Sequence, residues 1–282
     1  MVVPWAGDPD SDTPEPARRA RAAAGRRRRV PPLWRLLMLL DRGLIALTGR
    51  LVVTGGIPAE LRGRPMLLAA NHIGVFDVLV LVAACRTLRV APRFMATGGL
   101  FDAAVVGPVL RACGHVRVDR GRTSAVEAMD LAVGVLREGD PVLAYPEGRI
   151  SLDPGLWPER GKTGVARIAL AAGVAVLPVS QWGAHEAVCW GTPTINGWAD
   201  VRPLFASWLR AVRARPTFRV HIGPPVDLAG LSASRAGDAR RAHERIMRAI
   251  TAGLVPLRTD EPDVPRFHDP TRPLGGRSPW RP

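Results

Sequence analysis

The chain has 282 residues, 47% of them hydrophobic, and carries 39 Lys and Arg against 25 Asp and Glu, a formal net charge of +14. That length and apolar content suit one large α/β domain with appendages, and the charge asks for an anionic partner: nucleic acid, a membrane surface or a phosphorylated substrate. Cys85, Cys113 and Cys189 are odd in number and widely spaced, which excludes a disulfide framework and a Cys-x-x-Cys zinc site.

Residues 1–30 are rich in Pro, Ala and Arg, have nothing to bury and read as a disordered basic tail, with no secretory signal in the first 29 residues. The stretch from Leu33 to Val53 is apolar but interrupted by Arg35, Asp41, Arg42 and Arg50. It falls short of the roughly 20 uncharged residues of a spanning helix. Residues 31–53 therefore read as a membrane-interfacial helix, with an ordinary helix packed on the domain as the alternative. From Met66 onward, strands are expected at 66–70, 89–95, 115–118, 141–145, 174–179 and 217–222, and helices at 76–86, 101–112, 124–138, 163–172 and 234–252. That alternation predicts an α/β domain over 54–256, with a mostly parallel sheet flanked by helices. Ser124 and Glu127 form a capping-box pattern, and Gly139 closes that helix. Residues 181–216 bring Trp182, Trp190, Trp198 and Trp208 with little periodicity, as in a long excursion over the sheet or a membrane-facing loop. Residues 257–282 read as a disordered Pro-rich tail.

The chemistry concentrates in Asn71-His72-Ile73-Gly74-Val75-Phe76-Asp77, directly after the first core strand. A histidine is the usual general base near neutral pH, and a carboxylate beside it fixes its tautomer. Five residues of continuous helix turn through roughly 140°, so His72 has to sit at or before the first turn and be swung back over Asp77. The pair suits acyl transfer or hydrolysis; the alternative is a helix-capping histidine with Asp77 paired to an arginine elsewhere. Three further segments follow. Gly114 to Arg120 is a short strand ending in Arg117 and Arg120, where a guanidinium fork could grip a phosphate or simply face solvent. Tyr145-Pro146-Glu147-Gly148-Arg149-Ile150-Ser151 holds a carboxylate on a rigid turn at the carboxyl edge of a sheet, where open α/β proteins place ligands. Val176 to Val179 is a buried strand carrying a proline.

In this order the segments resemble the glycerophospholipid acyltransferase family, whose best-known members acylate lysophosphatidic acid to phosphatidic acid. The family's Asn-His-x-x-x-x-Asp motif is matched by Asn71, His72 and Asp77. Its Gly-x-x-Phe-x-x-Arg is met by Gly114 and Arg120, with Arg117 at the aromatic position. Its Phe-Pro-Glu-Gly-Thr-Arg-Ser is met by Pro146, Glu147, Gly148 and Ser151, with Arg149 and Ile150 where Thr and Arg stand. Lys162 and Gly164 resemble its Lys-x-Gly element. Residues 50 to 225 carry the likeness.

The resemblance implies a glycerolipid acyltransferase fold with His72 and Asp77 catalytic and no metal or cofactor. It implies Asn71 and the amides near Gly74 as oxyanion donors. It also places Arg117, Arg120, Glu147, Gly148, Arg149 and Lys162 around the acceptor. The implied partners are acyl-CoA or acyl carrier protein, a lysophospholipid and an anionic membrane surface, at the cytoplasmic face of the cell membrane. The residues themselves leave two alternatives open. One is hydrolysis through Ser151 or Ser180, although no Gly-x-Ser-x-Gly elbow exists. The other is a non-catalytic basic membrane protein; nucleic acid is disfavoured because aromatics are not interleaved with the arginines. Gly161-Lys162-Thr163 lacks the first glycine of a phosphate-binding loop, Leu156 standing there.

Overall fold

The computed structural model describes residues 30–119, 122–188, 198–258, 261–266 and 272–282. The expected N-terminal basic tail and Arg120 lie outside the described residues. A helix α1 (Pro32–Thr48) leads into strand β1 (Arg50–Gly55); then follow β2 (Met66–Ala70), α2 (Asp77–Thr87), β3 (Arg93–Thr97), α3 (Gly98–Asp102), α4 (Val106–Ala112) and β4 (Val116–Val118). The second half runs α5 (Arg122–Arg137), β5 (Val142–Ala144), α6 (Gly164–Ala172), β6 (Ala175–Trp182), α7 (Trp198–Ala214), β7 (Thr217–Ile222) and α8 (Asp238–Leu254).

The seven strands form one sheet in the order β1-β7-β6-β2-β5-β3-β4. Strands β2 to β6 run parallel to one another. β7 turns antiparallel on the last residues of β6, and β1 lies parallel to β7. Every residue of β2 is buried, as a central parallel strand with both faces covered requires. Its side chains alternate between two cores. Met66, Leu68 and Ala70 join one cluster with α1 and α2, while Leu67 and Ala69 join another with α5, α6 and α8. The fold is therefore three layers, helix–sheet–helix.

The expected strands at 66–70 and 217–222 form with those bounds. The strand expected at 89–95 starts only at Arg93, because Arg89 adopts φ 59 and Pro92 follows in the turn. The helix expected over 101–112 divides into α3 and α4, with Gly107 seated so close to the carbonyl of Phe101 that a Cβ would collide with it. Helix α5 begins at Arg122, so Ser124 falls inside it rather than at its cap. Gly139, at φ 98, closes its C-terminus with N–H bonds back to the last turn.

Two elements differ from the sequence reading outright. The apolar stretch to Val53 is not one segment: the helix stops at Thr48, and Gly49 lets the chain pass against the carbonyl of Pro216, where a Cβ would clash, so that β1 can pair with β7. The tryptophan-bearing region holds helix α7, whose period was obscured by Pro203 within it. Helix α1 packs on the domain through one face and leaves its other face exposed. Trp34, Met38, Asp41, Ile45 and Thr48 are buried at helical spacing, while Leu33, Leu36, Leu39, Leu40 and Leu47 are exposed. No helix among the described residues is long and apolar enough to cross a membrane.

The C-terminal stretch, expected to be a disordered tail, instead has docked residues. Arg258 and Arg272 are buried, and Trp280 donates its indole N–H to the carbonyl of Glu159 at 3.1 Å. Its prolines prevent regular structure without preventing side-chain anchoring.

Candidate active site

The carboxyl ends of the parallel strands lie along one edge, and β2 ends there at Ala70. The next six residues make a loop, and α2 starts at Asp77, so the histidine two residues after β2 is carried back over the first residue of the helix. His72 Nδ1 lies 2.8 Å from Asp77 Oδ2. The same oxygen accepts the backbone N–H groups of Ile73 at 2.6 Å and Gly74 at 3.0 Å. Three donors on one oxygen, at the first turn of a helix whose dipole favours negative charge, define an acceptor-only carboxylate. Nδ1 therefore carries the imidazole proton, and Nε2 keeps its lone pair. Tyr145 stacks on the imidazole at 4.0 Å between ring centroids with 13° between planes, fixing its plane. The Tyr145 hydroxyl itself is buried and has no hydrogen-bond partner among the described residues.

The turn after β5 holds the main chain of His72 at both poles. Glu147 Oε1 accepts His72 N–H at 2.8 Å, and the amide of Ser151 donates to the His72 carbonyl at 2.8 Å. The other Glu147 oxygen accepts Glu159 N–H at 2.8 Å. Glu147 is buried, so it positions the base and is not placed to face an acceptor headgroup. Gly148 takes φ 67, the left-handed bend that lets the turn reverse. Arg149 makes a two-pronged pair with Glu159, at 2.7 and 3.1 Å, with its side chain half exposed. The Lys162 amide closes the same rim by donating to the carbonyl of Pro146 at 2.8 Å, and its side chain is exposed.

Burial pushes the Glu147 carboxyl from its ordinary 4.5 up to about 8; the backbone N–H donors of Glu159 and His72 pull it down, and the charges of Glu159 and Asp77 raise it further. A carboxyl that binds its proton more tightly in the folded state contributes stability that is complete below about 4.5 and is lost as pH rises through about 8. Glu147→Gln cannot titrate. The melting temperature of the wild type minus that of Glu147→Gln is accordingly expected to fall between pH 4.5 and 8, each full pH unit of such linkage amounting to about 1.4 kcal/mol. Parallel curves across that range would contradict the assignment.

The remaining expected site residues are placed differently. Asn71 is fully buried, and its amide is spent on the backbone of Gln181: Oδ1 accepts Gln181 N–H at 2.8 Å and Nδ2 donates to the Gln181 carbonyl at 3.1 Å. Gln181 returns its side-chain amide to the Asn71 carbonyl at 2.9 Å. Asn71 is thus a strap between β2 and β6, and the N–H groups of Ile73 and Gly74 point inward to Asp77, so neither set supplies the expected oxyanion donors. Arg117, at the end of β4, is held by Asp102 at 2.6 and 3.0 Å and by Asp119 at 2.6 Å. That strand stands three places from β2, roughly 14 Å at about 4.8 Å per strand. Gln181, Glu159 and the ring of Tyr145 escaped the sequence reading. A glutamine at the end of an otherwise apolar strand was the available signal for the first. Among the described residues, His185, Glu186 and Glu261 bring ligand atoms within 4.8 Å of one another. Arg258 and Arg272 bear on His185, and Arg219 and Arg266 on Glu186, so the charge there is already countered by guanidinium groups and the set is a poor cation site.

Ser151 Oγ donates to the carbonyl of Trp157 at 2.7 Å and Ser180 Oγ to that of Ile250 at 2.6 Å, which removes both candidate serine nucleophiles from the histidine. Among the described residues the pair is left as an oriented base whose Nε2 has no hydrogen-bond partner.

Residues 52–182 match the acyltransferase family. A 1-acyl-sn-glycerol-3-phosphate acyltransferase of Chlamydomonas reinhardtii is 31% identical over 121 residues, 43% of this chain and 35% of that protein. A chloroplastic enzyme of the same name from Brassica napus is 28% identical over 139 residues, 49% of this chain and 39% of that one. The chain thus spans well under half the length of these relatives. The crystal structure of the 1-acyl-sn-glycerophosphate acyltransferase PlsC from Thermotoga maritima shares the fold, with a TM-score of 0.56 and 22% identity over 88% of this chain and 90% of that one. The matched residues 52–182 contain both His72 and Asp77, and over that stretch the chain is similar to the acyltransferase family.

Proposed function

We propose that the protein transfers a fatty acyl group from a thioester, acyl-CoA or acyl carrier protein, to the free hydroxyl of a lysophospholipid, with 1-acyl-sn-glycerol-3-phosphate as acceptor and phosphatidic acid as product. The observation that carries this reading is the 2.8 Å His72–Asp77 pair with both nearby serines engaged elsewhere. Nε2 takes the hydroxyl proton as the acceptor oxygen attacks the thioester carbonyl. The new C–O bond forms, the C–S bond breaks, and the imidazolium returns its proton to the departing thiolate. Asp77 remains ionised throughout and balances the transient imidazolium. Arg149 and Lys162, the exposed cations on the rim beside Gly148, face the acceptor phosphate.

The acceptor lies in a bilayer and the donor in water, so the groove works at their boundary, on the cytoplasmic face of the membrane. The exposed leucines of α1 support this placement, and the net charge of +14 suits an anionic surface. The deciding experiment incubates purified protein, with anionic liposomes, with labelled acyl-CoA or acyl carrier protein and a panel of lysophospholipids. The expected product is phosphatidic acid, released with one thiol per acyl group. Thiol release without any acylated lipid would mean hydrolysis and sink the proposal. In the same preparation Leu36→Glu with Leu40→Glu is expected to reduce liposome flotation, and undiminished flotation would move the membrane contact off α1.

A further inference from the structure

The family match ends at Trp182, yet residues far beyond it return to the catalytic turn. Arg272, 6% exposed, donates Nη2 to the carbonyl oxygen of Ile73 at 2.6 Å. That oxygen belongs to the Ile73–Gly74 peptide, whose N–H, on Gly74, donates to Asp77 Oδ2 at 3.0 Å. One peptide plane is therefore gripped at both poles, by a guanidinium on its oxygen and by the catalytic carboxylate on its nitrogen. Rotating that plane would break both bonds at once and withdraw one of the two backbone donors that hold Asp77 in line with His72. A cation on the carbonyl also polarises the peptide so that its N–H becomes a stronger donor to Asp77.

The chain around Arg272 is anchored on the other side of the site. The N–H groups of Arg277 and Ser278 both donate to Asp153 Oδ2, at 3.1 and 3.0 Å, and Ser278 Oγ donates to the carbonyl of Pro158 at 2.6 Å. Trp280 binds the carbonyl of Glu159, whose own N–H is bound by Glu147, the residue that holds His72. At the root of this arm, the Arg258 guanidinium lies between the indoles of Trp157 and Trp182, 3.9 and 4.0 Å from their centres. The arm thus reaches the histidine by two independent routes, one through the Ile73–Gly74 peptide and one through the loop that carries Glu159.

We infer that the C-terminal arm is part of the catalytic apparatus and that Arg272 is a positioning residue, locking the Ile73–Gly74 peptide so that Asp77 presents His72 with Nε2 toward the substrate; this rests on the acyl-transfer reading. Small displacements of a base are costly, an error of about 1 Å being enough to lose on the order of 100-fold in rate. Arg272→Leu in the full chain is expected to lower kcat by about 10- to 100-fold with both Michaelis constants within about threefold, and Arg272→Lys, which can still donate to one carbonyl, to recover much of it. A residue that only stabilised the fold would instead reduce the fraction of active protein with no gain from lysine. Hydrogen exchange at the amides of Ile73 and Gly74 provides a readout that needs no substrate. It is expected to quicken by at least about tenfold in Arg272→Leu while the amides of α8 keep their wild-type rates. Wild-type kcat or wild-type exchange at Ile73 and Gly74 in Arg272→Leu overturns the inference. If the wild type transfers no acyl group at all, the exchange measurement still decides the role of Arg272, and only the acyl-transfer reading is lost.

Discussion

His72→Ala is expected to lower kcat for acyl transfer by about 100- to 10,000-fold, the range that a positioned general base contributes, while the protein stays folded. The side chain is part-exposed and lies on the rim of the sheet, outside both apolar clusters. Asp77 loses one of three donors and keeps the amides of Ile73 and Gly74, so the turn retains its own support. Asp77→Asn is a different lesion. The amide cannot accept from all three N–H groups on a charged oxygen, and it can offer an N–H to Nδ1, which would move the imidazole proton to Nε2 and leave no lone pair facing the acceptor. Its kcat is therefore expected to fall at least as far as that of His72→Ala, with a loss of stability that the alanine variant does not show. Initial rates with saturating thioester and lysophospholipid, set beside urea midpoints, check both. Near-wild-type turnover in His72→Ala would falsify the base assignment.

Local pattern made part of this readable in advance. A fully apolar run at 66–70 and an alternating one at 217–222 are core strands because burial on two faces, or one, imposes those patterns directly. The His–Asp pair was legible because its partners are five residues apart and a helix start between them dictates the loop. What holds that pair was not. The contacts of His72 with Glu147, of Asn71 with Gln181 and of Ile73 with Arg272 span 75, 110 and 199 residues, and no periodicity links such positions. Buried carboxylates and guanidiniums also read as solvated charges in a sequence, because only the fold reveals the backbone groups that satisfy them. The same reason accounts for the C-terminal arm. Its composition argued for disorder, since it buries little apolar surface, and its docking comes instead from a few polar and cation–aromatic anchors.

Asn71→Ala is expected to unfold the protein more easily, by more than a single surface hydrogen bond would allow, because it strips partners from two buried backbone groups at once. Gln181 is completely buried, and both its N–H and its carbonyl are satisfied by the Asn71 amide. Each such group left unpaired costs about 1–3 kcal/mol, so the two together are expected to lower the unfolding free energy by about 2–6 kcal/mol. Asn71→Asp is nearly isosteric and should be worse, since it points an oxygen at the Gln181 carbonyl and places a charge where no donor is added to compensate it. The stability order wild type, alanine, aspartate is the signature of a strap joining β2 to β6 next to the base. An oxyanion donor would give a different pattern, a loss of about 100- to 1,000-fold in kcat with unchanged stability. Urea midpoints and kcat measured on the same preparations separate the two, and intact stability in Asn71→Ala would return Asn71 to the substrate side of the site. The strap role carries a second consequence for rate. Because Asn71 immediately precedes His72, loosening it frees the base from the β2 side while Glu147 still holds its N–H, so residual activity in Asn71→Ala is expected to exceed that of His72→Ala even though the fold is weaker.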